Sequence, residues 1–118
     1  MSSVQCLLTI LKISGMYRKI NKQENYSNIM KCIHIIASGK VQGVFFRDST
    51  RRKANELAIS GYIKNISNGN VEVVAQGNEE KLNELIKFIK NNPGYSKVKD
   101  VKITYKELEK FDGFGIKG

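Results

Sequence analysis

From residue 31 onward the apolar positions change their spacing from block to block. Cys32-Ile33-His34-Ile35-Ile36 is short, apolar and β-branched, and Ser38-Gly39 bounds it, which predicts a buried strand. Gly39 to Val44 reads as a glycine-bearing loop. Between Asp48 and Ser60, Thr50, Ala54, Leu57 and Ala58 recur at helical spacing; Asp48 or Ser49 can cap the start and Gly61 can end the helix. Tyr62 to Ile66 and Val71 to Gln76 predict two strands joined through Ser67-Asn68-Gly69-Asn70. Asn-Gly is a strong hairpin signal, because a type I′ turn needs positive φ at both central residues. A second helix is expected from Glu79 to about Asn91, with Leu82, Leu85, Ile86 and Ile89 as its stripe. Its acids fall in the first turn and its lysines in the last, as the helix dipole favours. Asn92-Pro93-Gly94 reads as a turn, Val98 to Tyr105 as a strand, and Phe114-Gly115-Ile116 as a short final one.

The order β-α-β-β-α-β plus a terminal strand predicts an α+β, ferredoxin-like two-layer sandwich. In it two helices cover one face of an antiparallel sheet. Residues 1–29 stand apart. Val4 to Ile13 is apolar but interrupted by Gln5 and Lys12, with no basic residues before it and no small-residue cleavage site after it. Residues 14–29 are polar and aperiodic. The expectation is an N-terminal extension over 1–29, disordered or an artefact of an upstream start, and one domain over 30–118.

Composition narrows the chemistry. The 118 residues hold two Cys and one His, too few for a disulfide framework or a His/Cys metal cage. No run of eighteen apolar residues exists to span a membrane. With the failed secretory pattern, this leads to the expectation of a cytoplasmic protein without a membrane partner. Net charge is +9, but sixteen of the twenty cations are lysines scattered along the chain. A nucleic-acid footprint would gather them into a patch, so composition bias explains the charge better.

The loop before the first helix is the informative segment: Gly39-Lys40-Val41-Gln42-Gly43-Val44-Phe45-Phe46-Arg47. Successive backbone amides in such a loop form an anion-binding concavity, and the helix that follows adds its positive end. Arg47 sits at that junction with a guanidinium fork matched to two phosphate oxygens. Phe45 and Phe46 are expected to divide into one core anchor and one partly exposed ring. His34 and Cys32 read as strand residues rather than catalytic ones.

Gly39-x-Val41-Gln42-Gly43-Val44-x-Phe46-Arg47 resembles the acylphosphatase signature. A second signature of that family follows in Gly61-Tyr62-Ile63-Lys64-Asn65, Gly69-x-Val71 and Gly77. Seven specified positions in nine match by chance on the order of once in 10⁸ starts. The resemblance runs from about Cys32 to Ile116 and implies a hydrolase that needs no metal or cofactor, while a small core with no obvious large apolar surface favours a monomer. Its substrate would be a small acyl phosphate, cleaved to a carboxylate and inorganic phosphate. By that resemblance Arg47 binds the phosphoryl oxygens, Gly39, Lys40, Val41, Gln42, Gly43 and Val44 supply backbone donors, and Asn65 positions the attacking water. No separate pocket for the acyl group is legible. Two other readings use the same fold. A phosphate-binding regulatory domain without turnover would keep the loop. An RNA-binding module would stack bases on aromatics of the two central strands, which here carry none.

Overall fold

A computed structural model describes residues 29–118; the expectation for the preceding segment lies outside the described residues. The elements are β1 (Met30–Lys40), α1 (Phe46–Glu56), β2 (Ser60–Asn65), β3 (Val71–Asn78), α2 (Glu79–Lys90), β4 (Lys97–Lys106) and β5 (Phe114–Ile116). The sheet order is β4-β1-β3-β2-β5. The first four strands pair antiparallel, and β5 joins the β2 edge in parallel.

Period-two alternation decides which face is which. Ile33, Ile35 and Ala37 of β1, Ile63 of β2 and Val71, Val73 and Ala75 of β3 point into one core. Phe46 and Ala54 of α1 and Leu82, Leu85 and Ile89 of α2 meet them there. Phe46 is the anchor, buried to 1% exposure, while Phe45 stands 67% exposed. Burying a ring of that size is worth roughly 3 kcal/mol. The other face carries Cys32, His34, Glu72, Val74, Tyr62 and Lys64 in register. His34 Nε2 lies 2.8 Å from Glu72 Oε2, so a carboxylate, rather than an aromatic platform, sits in the middle of that face.

The second helix follows its expected course, with Asn78 as N-cap accepting the Glu80 amide at 2.9 Å. The hairpin does too: Asn68 and Gly69 have φ of 67° and 78°. The first helix differs at both ends. It begins at Phe46, with Phe45 at the N-cap and no side-chain cap, so Asp48 and Ser49 lie inside the first turn. It ends at Glu56 rather than Ser60, because the Ile59 amide bonds to the Ala54 carbonyl and the Ala58 amide to that of Asn55. These bonds make a Schellman cap, with Ala58 at φ 58° in the place usually given to glycine. Ala58 is therefore exposed, Ile59 is buried in its stead, and Gly61 lies within β2.

The sheet is mixed rather than wholly antiparallel, and residues 107–113 explain why. β4 ends at Lys106, opposite Cys32 near the start of β1. From there the chain crosses the helix-free face to the far edge. Gln76 of β3 bonds the Glu109 backbone in both directions, donating to its carbonyl at 2.8 Å and accepting its amide at 2.9 Å. Phe111 meets Tyr62 edge to face, and the Gly113 carbonyl accepts the Gly61 amide at 2.9 Å. Having crossed at the end where β2 starts, β5 can only run beside β2 in the same direction. The strap also covers Cys32, whose thiol burial pushes above its ordinary value against the opposing pull of Lys106.

Candidate active site

At the other end of the sheet, where β1, β2 and β5 finish, residues 41–45 link β1 to α1. Gly39 and Lys40 belong to the strand itself, paired with Val98 and Lys97 across a bulge at Ser38/Gly39. A Cβ on Gly39 would come within 2.3 Å of the Lys97 carbonyl oxygen, so its bare backbone serves the β1–β4 pairing. Val41 and Val44 are buried in the core.

The amides of residues 42–48 find no acceptor among the described residues; the first intrahelical bond runs from Ser49 to the Phe45 carbonyl. Those N–H groups gather at the start of α1, where aligned dipoles favour an anion. A pocket of about 330 Å³ opens there, lined by Val41, Gly43, Phe45, Phe46, Arg47, Asp48 and Ile116.

Arg47 has no ion-pair partner among the described residues. The carboxylate next to it is taken: Asp48 pairs with Arg51 at 2.7 Å and Arg52 at 2.8 Å. The Arg51 hydrogen bond, aided by Arg52, holds the Asp48 carboxyl below the usual carboxylate range. The helix thus neutralises its own acid without drawing on the guanidinium at its first turn.

Asn65 is the last residue of β2 and is exposed. It alternates with Ile63 onto the face that the helices cover, the side on which Arg47 lies. It does not line the pocket; the link to the loop is Gln42. That carboxamide donates to the carbonyls of Ile66 at 2.9 Å and Asn70 at 2.7 Å, tying the loop to the hairpin one residue beyond Asn65. The Gln42 side chain is thus a brace.

Two site residues escape a reading of the sequence. The Tyr95 amide donates to the Val44 carbonyl at 2.9 Å, and a Cβ on Gly94 would sit 2.5 Å from that oxygen and 2.9 Å from the Phe45 carbonyl oxygen. The turn after α2 therefore packs directly on the loop. The strain shows at Phe45, a bulky residue at φ 62° and ψ 22°, at a cost of order 1–3 kcal/mol. The third wall, Ile116, comes from β5, whose position depends on the strap at the far end.

The chain is similar to known proteins over most of its described residues. A family model described as Acylphosphatase matches residues 33–116. An acylphosphatase of Coxiella burnetii is 41% identical over 86 residues, covering 73% of this chain and 90% of that one. One from Archaeoglobus fulgidus is 39% identical over 87 residues, covering 74% and 98%. The crystal structure of acylphosphatase from Bacillus subtilis superposes with a TM-score of 0.72 at 34% identity, covering 76% of this chain and all of that one.

Proposed function

The chain belongs to the acylphosphatase family, enzymes that hydrolyse acyl phosphates, and from that premise we propose how its residues divide the work. Arg47 and the amides of the β1–α1 loop bind the phosphoryl group, and Asn65 positions the attacking water. The observation that carries this reading is Arg47, without an ion-pair partner among the described residues, beside a run of amides without acceptors among them.

Water attacks phosphorus, the bond from phosphorus to the acyl oxygen breaks, and the electron pair leaves with the carboxylate. That leaving group has a pKa of about 4 to 5, so it departs without a proton and no general acid is required. Phosphoryl transfer through a loose transition state asks chiefly for positioning and for charge stabilisation on the equatorial oxygens. A guanidinium and fixed amides supply the second in a geometry that needs no reorganisation. The Asn65 carbonyl oxygen accepts a hydrogen bond from water and sets its line of attack; being neutral, it takes no proton. Both protons of the water stay on the product, which forms as dihydrogen phosphate. The positive charge of Arg47 stands where a metal ion would otherwise be needed, so turnover is independent of added metal. The enzyme works as a cytoplasmic monomer, and residues 1–29 take no part in catalysis.

The test is steady-state hydrolysis of acetyl phosphate in excess chelator, by the full chain and by a version starting at Met30. Equal, chelator-insensitive rates are expected. Absence of phosphate release overturns the hydrolase reading. A chelator-sensitive rate overturns its metal independence.

A further inference from the structure

Lysines that lie far apart in the sequence meet at one corner of the fold. Lys40 and Lys97 are partners across β1 and β4. Lys90, the last residue of α2, and Lys99 line one hollow of about 270 Å³ with Val98, Asp100 and Val101. All four lysines are exposed, and none has an ion-pair partner among the described residues. Asp100 is the one acid in that hollow and offsets only part of the charge. Composition bias accounts for the number of lysines but not for their meeting, and such a gathering is the electrostatic footprint of a polyanion.

Two exposed rings continue the patch. Tyr95 stands two residues before Lys97, and its amide donates to the Val44 carbonyl, four residues after Lys40. The rings of Tyr95 and Phe45 meet edge to face with centroids 5.9 Å apart. They are 75% and 67% exposed, and neither belongs to the core. Tyr95 and Lys99 lie at most about 14 Å apart along the chain, so rings and cations form one track. Flat rings beside unpaired cations suit a strand of bases and phosphates. A lipid surface would call for aliphatic side chains next to the rings, whereas the hollow beside them is walled by Asp48, Ser49 and Arg52. An acidic peptide would use the lysines and leave the rings idle.

We propose that this corner binds single-stranded nucleic acid, with bases stacked on Tyr95 and Phe45 and phosphates along Lys97, Lys40, Lys99 and Lys90. The helix-free face of the sheet, where the His34–Glu72 pair sits, takes no part.

Its test is the fluorescence anisotropy of a short labelled oligouridylate with the full chain, over a series of salt concentrations. Binding is expected to weaken with salt. Lys97→Ala and Lys99→Ala should each flatten the slope of log K against log salt by about 0.7 while keeping the parental thermal midpoint. Tyr95→Ala should weaken binding about tenfold at an unchanged slope, and Tyr95→Phe should retain it. Lys110→Ala, on the strap at the far end, should alter neither affinity nor slope. Absence of binding overturns the proposal, and so does a slope that Lys97→Ala and Lys99→Ala change no more than Lys110→Ala does. If polyglutamate displaces the oligonucleotide as well as unlabelled oligouridylate does, and Tyr95→Ala is without effect, the corner belongs to an acidic peptide instead. If Tyr95→Ala releases the protein from phosphatidylserine vesicles but leaves its oligonucleotide affinity intact, the rings face a lipid surface and the proposal falls.

Discussion

The two ends of this sheet treat their backbone polar groups in opposite ways. Where β4 gives way to the strap, Gln76 satisfies both the amide and the carbonyl of Glu109, and Gly113 accepts from Gly61. Where β1 gives way to α1, the amides of residues 42–48 donate to nothing among the described residues and Phe45 is held in a left-handed conformation. The first end is finished as a structure. The second keeps its donors without acceptors among the described residues, with the turn through Gly94 and Tyr95 packed against it. Under the proposed function the phosphoryl group completes it. Donors already aimed need no reorganisation when charge develops on a ligand, and for that reason an unsatisfied loop is useful in a site and a liability elsewhere.

Substitutions at the two ends should therefore part activity from stability. The largest effect is expected for Arg47→Ala, at least 10³-fold in kcat, with a thermal midpoint near that of the parent because Arg47 makes no ion pair among the described residues. Next, Gly94→Ala inserts a methyl group against the Val44 and Phe45 carbonyls. A displaced loop should lose about 10² in kcat/KM without any ligand contact having been removed.

The opposite end should show the reverse. Gln76→Ala deletes both bonds to Glu109, and urea unfolding should register a loss of about 1 kcal/mol while kcat stays at the parental value. A drop in kcat comparable to that of Gly94→Ala would mean that the strap governs the site through β5 and Ile116. The smallest effect is expected for Ala58→Gly, which puts glycine at the left-handed cap of α1. The same unfolding measurement should show a gain of about 0.5–1 kcal/mol, with activity unaltered.

How much of this can be read from the sequence follows from the range of each interaction. Alternation in β1 and β3 and the helical stripe of α2 report burial, which is written locally, so these elements and their faces are legible. The place of the loop and of Arg47 is legible as well, because glycines after a strand and before a helix start mark a strand-to-helix link with Arg47 in the first helical turn. The end of α1 is not, since Ala58 does there what glycine ordinarily does. The parallel course of β5 is hidden in a polar stretch whose path is set by Gln76, thirty-three residues before Glu109. Gly94 and Tyr95 look like an ordinary turn, and only their contact with Val44 and Phe45, some fifty residues earlier in the chain, makes them part of the site.

The division of labour between Arg47 and Asn65 is tested most directly by measuring kcat for acetyl phosphate together with the inhibition constant of inorganic phosphate in Asn65→Ala. If the amides and Arg47 hold the phosphoryl group while Asn65 only directs water, kcat falls steeply and phosphate inhibits as strongly as in the parent. A variant that keeps its kcat while phosphate inhibition weakens would assign Asn65 to phosphate binding and contradict the account.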